Sequence, residues 1–531
     1  MIKSISKFLV ITIVAVSALV SFAAVKQTPD TGGPKNTPVV KSATPCTAIL
    51  SSDFNLQVPY LLVGDQAYWA KFQVSTKADG AVLFQVTGHG PAAGQWGSCL
   101  PAIYNTRTFL YNPDIMFNNV SYWAVSYLEP IAEDFRTSDQ QMVFKLFSVA
   151  PNSIPTGIML KGPYLIYPGK NSGMTVLWQT NATPTSATIE WGSTPSYGAG
   201  PISVPESGSG DNEHQFAFNL ANLTPGTFYY YRVTVNGTPF TGTFKTAPPD
   251  NADSLTFYVY GDTRAFPGTK DSVNARMMSD INADQTARQT FLLHTADYVL
   301  YGLDENMWNS DMFNRTYPNT MNSMANLPFM GALGNHESYD VNFNYDWQNI
   351  GKLFKKYFPY RLYPDPAHYY YSFDYGPVHV AVIDTWSYHS EVPDSAQLTW
   401  LNNDLANSTR PWKIIALHTP IYDCKEGDAS IPNLRKALDL IIARNNVKLI
   451  LQGHVHYYAR VNVNGVNYVT IGGGGAELTP VPATCAPDMA PYVVTVKSVH
   501  HLGRVEIKGD TLTLTAMATD GTIIDTLVIN K

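Results

Sequence analysis

The chain has 531 residues, 45% of them hydrophobic and 15% charged, with a formal net charge of −7. That length exceeds what one core supports, so two to four domains are expected. The acidic balance, without any basic run, argues against nucleic acid as the main partner. Frequent Tyr (32), Gly (37) and Pro (36) suit an extended, turn-rich exported protein better than a helical one.

Residues 1–23 read as a signal peptide. Lys3 and Lys7 precede an apolar run from Phe8 to Val20, and Ser21 and Ala23 offer a small-x-small site for cleavage near Ala23. The run is shorter than the ~20 residues of a membrane span, and no later segment reaches that length. The mature chain is therefore expected to be secreted, periplasmic or extracellular, without a transmembrane span. Export permits disulfides among Cys46, Cys99, Cys424 and Cys485. Three pairings are open, and sequence locality favours Cys46–Cys99 and Cys424–Cys485. With no Cys-x-x-Cys, a thiolate zinc site is not supported.

Residues 24–45, rich in Pro, Thr, Gly and Lys, read as a linker. Residues 46–155 read as a β-rich module of unknown role, with alternating runs such as Tyr68 to Val74 and Ala81 to Val86. It shows no site, and His89 near Trp96 is taken as structural. Binding to a surface or another protein is the role left to such β-modules. Residues 156–249 contain short strands at Thr175 to Gln179, Ala187 to Trp191 and Phe228 to Val235, with a turn at Asn236-Gly237, which suggests a β-sandwich.

Residues 252–531 alternate strands and helices. Strands are expected at Thr256 to Tyr260, Phe291 to His294, Leu327 to Leu333, Val378 to Ile383, Lys413 to Leu417 and Val447 to Leu451. Helices are expected at Ser395 to Leu405 and Ile431 to Ala443. The tail from Gly503 to Ile529 returns to hairpin-like strands. The fold class is thus multidomain: all-β modules followed by an α/β two-sheet sandwich with helices outside.

Five clusters sit just past those strand ends: Gly261-Asp262-Thr263-Arg264, Ala296-Asp297-Tyr298, Gly334-Asn335-His336-Glu337, His418-Thr419-Pro420 and Gly453-His454-Val455-His456. Side chains beyond the carboxyl ends of strands are where open α/β sheets build sites. The Gly opening several of these turns is expected to allow a sharp bend. Two His at i and i+2 can reach two neighbouring metal ions, which points to a dinuclear hydrolytic centre. Taken singly, each residue has an ordinary structural use: Asp262 as a helix N-cap, Asp297 as a turn residue, His418 as a packed ring.

This ordered set resembles the calcineurin-like metallophosphoesterase superfamily. With Tyr457-Tyr458-Ala459-Arg460, the run Gly472 to Gly475 and the leading sandwich, it is most similar to purple acid phosphatases and their fibronectin-III-like N-terminal domain. The resemblance covers roughly Gly157 to Lys531. It implies that Asp262 and His456 bind a first metal, that Asp297 bridges, and that Asn335, His418 and His454 bind a second. It places His336 toward the leaving group. Two ions, of Fe, Zn or Mn, would clamp an in-line displacement at phosphorus and supply a metal-bound hydroxide. Against two carboxylates and that hydroxide, they would leave about +1 on the site to attract a phosphate ester. Glu337, His294, His500 and His501 read as structural or supporting, and the Gly472 to Gly475 run as tight backbone passage. A Cys424–Cys485 bridge would pin two loops beside the metals.

The departures concern the first metal. Many members carry a His ligand where this chain has Arg264, which cannot ligate but can bind phosphate. Purple acid phosphatases carry a Tyr ligand where this chain has Leu300, leaving Tyr298 and Tyr301 on either side as alternative phenols. The usual Gly before the bridging Asp is Ala296, which costs little unless that turn needs a positive φ. The resulting reading is a secreted metal-dependent phosphohydrolase acting on small phosphate esters, a phosphomonoesterase first and a phosphodiesterase or nucleotide hydrolase second. A non-catalytic surface-binding protein with a degenerate domain is the reading from another class.

Overall fold

The computed structural model describes residues 159–531, apart from 208–213, 316, 366, 388–391 and 426–430, together with strand backbone between Ile49 and Val149. The expected signal peptide, the linker and the pair Cys46 and Cys99 lie outside the described residues. The chain divides into two compact units, Met1–Pro155 and Thr156–Lys531. In the first, seven strands form one antiparallel sheet, with the edge strand Ile49–Leu50 at one end and Leu110–Phe117 at the other.

The second unit opens with a sandwich of a four-stranded and a three-stranded sheet. In Phe228–Val235 the residues Tyr231, Val233 and Val235 are buried while their neighbours are not, the period-two pattern of a half-buried strand. Asn236 and Gly237 both adopt positive φ (47° and 81°), and Val235 pairs with Thr238, so these two residues close a tight hairpin. Trp178 stacks on Phe216 at 5.3 Å in the core between the sheets. Buried bonds fasten the sandwich to the α/β portion of the same unit: Tyr231 Oη donates to the Ala325 carbonyl (2.8 Å) and Tyr164 Oη to that of Tyr357 (2.7 Å).

The α/β portion contains two further sheets. One runs in the order Phe329–Gly331, Leu292–His294, Ser254–Tyr260, His501–Lys508, Thr511–Ala518 and Ile523–Asn530. Its first three strands are parallel. The other runs Tyr371–Tyr375, Val378–Val382, Trp412–Ala416, Leu449–Gln452, Val466–Ile471, Tyr458–Val463 and Val493–Lys497. Val378–Val382, Leu449–Gln452 and the strands between and beside them as far as Val466–Ile471 are parallel, and each parallel strand is nearly or wholly buried. Helix Ser395–Asn407 starts on Asp394, whose carboxylate accepts from the Gln397 amide at 2.8 Å. Helix Ile431–Arg444 buries Ile431, Leu434, Leu438 and Ile442, one helical face, against the second sheet. No helix among the described residues is long and apolar enough to cross a membrane.

A part-buried cluster of one histidine and two carboxylates ties stability to pH. His379 lies in Val378–Val382, with Nδ1 2.8 Å from Asp374 and Nε2 2.7 Å from Asp404. Both ring nitrogens meet carboxylates, so the ring is held as imidazolium. Burial would lower its pKa, but the two carboxylates override that and raise it to about 9. A pKa raised above its unfolded value contributes stability that is complete below about pH 6.5 and is lost as pH rises through about 9. Allowing for Asp374 being 42% exposed, the contribution is about 2 kcal/mol. Urea unfolding at pH 6 and pH 10 is expected to show His379→Asn less stable than wild type by about that amount at pH 6, with the gap mostly closed at pH 10.

Candidate metal centre

Every candidate ligand sits past the carboxyl end of a parallel strand. Asp262 follows Ser254–Tyr260, Asp297 follows Leu292–His294, and Asn335 follows Phe329–Gly331. His418 follows Trp412–Ala416, and His454 and His456 follow Leu449–Gln452. The turns are strained. Asp262 (φ 57°), Ala296 (83°), Asp297 (57°) and His454 (70°) all occupy the left-handed region, at a cost of order 1–3 kcal/mol each for residues with a Cβ. The position of Ala296 therefore does need positive φ, and an alanine there carries strain.

The turn glycines serve a different purpose from the bend expected of them. Gly334 and Gly453 are absent from the left-handed set. A Cβ on Gly334 would collide with the Asp297 carboxylate, and one on Gly453 would come 2.7 Å from Asp262 Oδ2. Their role is to leave room for the carboxylates. The run Gly472 to Gly475 is hemmed in mainly by backbone: a Cβ on Gly472 would collide with the Val455 carbonyl and one on Gly474 with the Gly261 carbonyl, to which the Gly474 amide donates (2.9 Å). It gives close backbone passage, as read from the sequence.

Four donor atoms converge at the position implied for the second metal. His418 Nε2 lies 2.9 Å from Asn335 Oδ1 and 3.3 Å from Asp297 Oδ1. His454 Nδ1 lies 3.2 Å from Asn335 Oδ1 and 3.3 Å from His418 Nε2. His418 Nδ1–H donates to the Thr295 carbonyl at 2.8 Å, which directs the Nε2 lone pair inward. So many lone pairs in contact repel unless a cation or proton lies among them. Without a metal, a proton does this. Burial opposes a charged His418, but Asp297 and then Asp262 raise it to about 9. His454, buried and next to that charge, falls to about 3 and is neutral. Asp297 is held well below the usual carboxylate range: burial works against this, and the His418 charge outweighs it. Asp262 is pushed well up by burial and by Asp297. Ligand atoms of Asp262, Asp297 and His418 all lie within 4.8 Å of one another. The donor set fits a divalent ion of borderline softness.

The position implied for the first metal is built differently. His456 Nε2 stands 3.7 Å from Asp262 Oδ1. The Arg264 guanidinium reaches into the same space, with Nη2 3.3 Å from His456 Nε2 and Nε 3.5 Å from Asp297 Oδ2. His456 Nδ1–H donates to the Glu477 carbonyl (2.6 Å), so its Nε2 lone pair accepts from Arg264. Burial and the Arg264 charge push this imidazole well down, and it is neutral. Arg264 is 7% exposed, and its Nε has no hydrogen-bond partner among the described residues.

Of the two phenols, Tyr298 is corrected out of the ligand set. Its ring is fully buried, stacked on His294 at 4.0 Å and packed against Trp308, Phe354 and Phe358, and its hydroxyl lies against Gly331. Tyr298 therefore faces the core. Tyr301 is half-buried against Phe343 at 4.7 Å and makes no hydrogen bond to the ligand set among the described residues. Leu300 is buried. His336 stands beside the site, its Nε2 3.9 Å from Asp297 Oδ2 and its Nδ1–H donating to the Leu300 carbonyl at 2.7 Å. Burial and Arg264 lower it to about 3, so it is a neutral ring with an unprotonated Nε2.

Supporting residues hold these turns. The buried Glu337 carboxylate accepts from the amides of Asp297 (3.1 Å), Tyr298 (2.8 Å) and Gly334 (2.9 Å), tying the Asp297 turn to the Asn335 turn. Burial and Asp297 push it up to about 7. Asp311, in a π-helical turn Trp308–Met312, accepts from the amides of Ala265 and Leu300, both at 3.1 Å. Trp386 walls the site, its ring 5.5 Å from that of His454 and 6.0 Å from that of His418. Neither Asp311 nor Trp386 stands out in the sequence; for Trp386 the available signal was its place just past Val378–Val382. His294 and His501 are buried supports. Cys424 and Cys485 form a disulfide joining the loop after His418 to the loop after Gly475.

Residues 255–458 match the family model for calcineurin-like phosphoesterases, and residues 161–246 match that for the purple acid phosphatase N-terminal domain. Purple acid phosphatase 18 of Arabidopsis thaliana is 28% identical over 332 residues, 57% of this chain and 68% of the relative. Acid phosphatase type 7 of Homo sapiens is 26% identical over 348 residues, 59% of this chain and 72% of the relative. The matched region spans 57% of the length of purple acid phosphatase 21 of Arabidopsis thaliana. Among solved structures, a purple acid phosphatase isolated from yellow lupin (Lupinus luteus) seeds shares the fold, with a TM-score of 0.61 at 16% identity over 85% of this chain and 93% of that one.

Proposed function

We propose, from the premise that this chain is a calcineurin-like metallophosphoesterase carrying a purple acid phosphatase N-terminal domain, that it hydrolyses small phosphate monoesters in a metal-dependent reaction after export. The observation that carries this reading is the convergence of Asp297, Asn335, His418 and His454 on one cation position beside the buried Arg264. A divalent Mn, Zn or Fe ion held there would supply Lewis acidity toward a phosphoryl oxygen and would acidify water.

The chain's own groups do the rest. Asn335 ligates without adding negative charge, so the site keeps its attraction for a phosphate. Arg264 has N–H groups to spare, and a phosphoryl oxygen satisfies them better than the imidazole of His456 does. His336 offers a bare Nε2. An ester dianion seated beside it raises its proton affinity, so Nε2 takes up a proton from solvent as the substrate binds, and the ring passes that proton to the departing alkoxide. Two negative charges on a monoester answer the cations more fully than the single charge of a diester, which favours monoesters. The relatives named as acid phosphatases point the same way. Export is supported by the Cys424–Cys485 disulfide, which persists in an oxidising compartment.

The test is hydrolysis of a chromogenic aryl phosphate monoester and of the matching diester, after chelation and after addition of Mn, Zn or Fe. The expected result is monoester turnover that chelation removes and one of these metals restores, at least ~10-fold faster than the diester. Diester turnover in excess would select the phosphodiesterase reading. No turnover of either ester with any of the three metals, in folded protein, would leave the non-catalytic reading.

A further inference from the structure

We propose that the Arg264 guanidinium replaces the first metal ion, so that the centre binds a single divalent ion and uses the arginine as its second cation. This rests on the metal-dependent reading above.

Two independent contacts carry it. Arg264 Nη2 lies 3.3 Å from His456 Nε2, the nitrogen that would have to ligate a first metal. Because Nδ1–H of His456 is committed to the Glu477 carbonyl, that Nε2 has one lone pair, and the arginine already receives it. Arg264 Nε lies 3.5 Å from Asp297 Oδ2, whereas the other oxygen, Oδ1, faces His418. One oxygen of the bridging carboxylate therefore faces the metal position and the other faces a guanidinium.

Sequence and electrostatics agree with this. With Leu300 buried and Tyr298 turned into the core, the first position keeps Asp262, Asp297 and His456 as its ligand candidates, and the guanidinium touches two of the three. The guanidinium brings a positive charge to that position. One divalent ion and one arginine leave about +1 against two carboxylates before any hydroxide is counted, so the site still attracts a phosphate. The arginine also presents planar N–H donors, which suit phosphoryl oxygens, at a point where a metal would present an open coordination position. His456 becomes a positioning residue that orients the guanidinium.

Metal stoichiometry tests this directly. Protein stripped with chelator, loaded with excess Mn and desalted is expected to carry one ion per chain by elemental analysis. It should also give the electron paramagnetic resonance spectrum of isolated Mn(II), without exchange coupling. His456→Ala is expected to keep one ion, and Arg264→His, which supplies an imidazole in place of the guanidinium, to carry two with a coupled spectrum. Thermal unfolding confirms that each variant is folded. Two ions in the wild type, or loss of an ion in His456→Ala, would overturn the arginine substitution and leave the metallophosphoesterase reading standing. No bound ion at all would remove both.

Discussion

His454→Ala and Asn335→Ala are each expected to lower phosphomonoester turnover by three orders of magnitude or more. Each removes one of four donors from a position where the donors lie 2.9–3.3 Å apart. Loss of a ligand weakens the ion, and loss of the ion withdraws several kcal/mol of transition-state charge stabilisation; about 4 kcal/mol corresponds to roughly 10³ in rate. Neither side chain holds the fold together. His454 sits in a strained turn (φ 70°), and its amide bonds to Asp262 (2.9 and 3.0 Å) survive an alanine. The sandwich core around Trp178 and Phe216 is elsewhere in the chain. Thermal unfolding is therefore expected to stay close to wild type while steady-state hydrolysis and metal content collapse together. Retention of more than a tenth of wild-type activity by either variant would contradict the assignment of the donor set.

Glu337→Ala is expected to have the opposite signature, a large loss of stability with metal affinity lost as a consequence. Its carboxylate receives three backbone amides, from Asp297, Tyr298 and Gly334, and it is fully buried. Truncation leaves those three N–H groups without acceptors in a dry interior. At 1–3 kcal/mol for each orphaned group, partly relieved by relaxation or water, the cost is about 4 kcal/mol. The same bonds hold two left-handed residues, Ala296 and Asp297, in a conformation they would otherwise leave. Denaturant unfolding measures the first effect and calorimetric metal titration the second. Glu337→Gln is the informative control. It keeps one acceptor oxygen and the volume, and it should fall between wild type and alanine in both readouts. If Glu337→Ala unfolded at the wild-type midpoint, the clamp would have no energetic role.

Much of the architecture was legible because its signals are local. Alternation in Phe228 to Val235 marks a half-buried strand, and Asn236-Gly237 supplies the two positive-φ residues that close its hairpin. The apolar runs ending at Tyr260, His294 and Ala416 read as buried strands for the same reason: a parallel strand covered on both faces has no polar side. Side-chain direction was less legible. Tyr298 and Tyr301 looked equivalent as phenols, yet Tyr298 points into an aromatic core. The turn glycines were expected to supply backbone freedom and instead supply space, because what they avoid is a carboxylate from a different strand.

The amino-acid sequence by itself determined which chemistry the site can hold: two carboxylates, one amide and three imidazoles, placed just past strand ends where a parallel sheet turns its termini outward together. It also determined that one position differs, since Arg264 and Leu300 stand there whatever the fold. Only the tertiary structure decided what that difference does. The contact between Arg264 and His456 joins residues 192 apart in the chain, and that between Arg264 and Asp297 crosses from one turn to another. The first depends on how two sheets bring their strand ends together and the second on how neighbouring strands of one sheet pair, which no local pattern encodes. The burial that pushes Asp262 up and His454 down is likewise a property of the packed neighbours, because the cost of a charge is set by everything around it rather than by the residue that bears it.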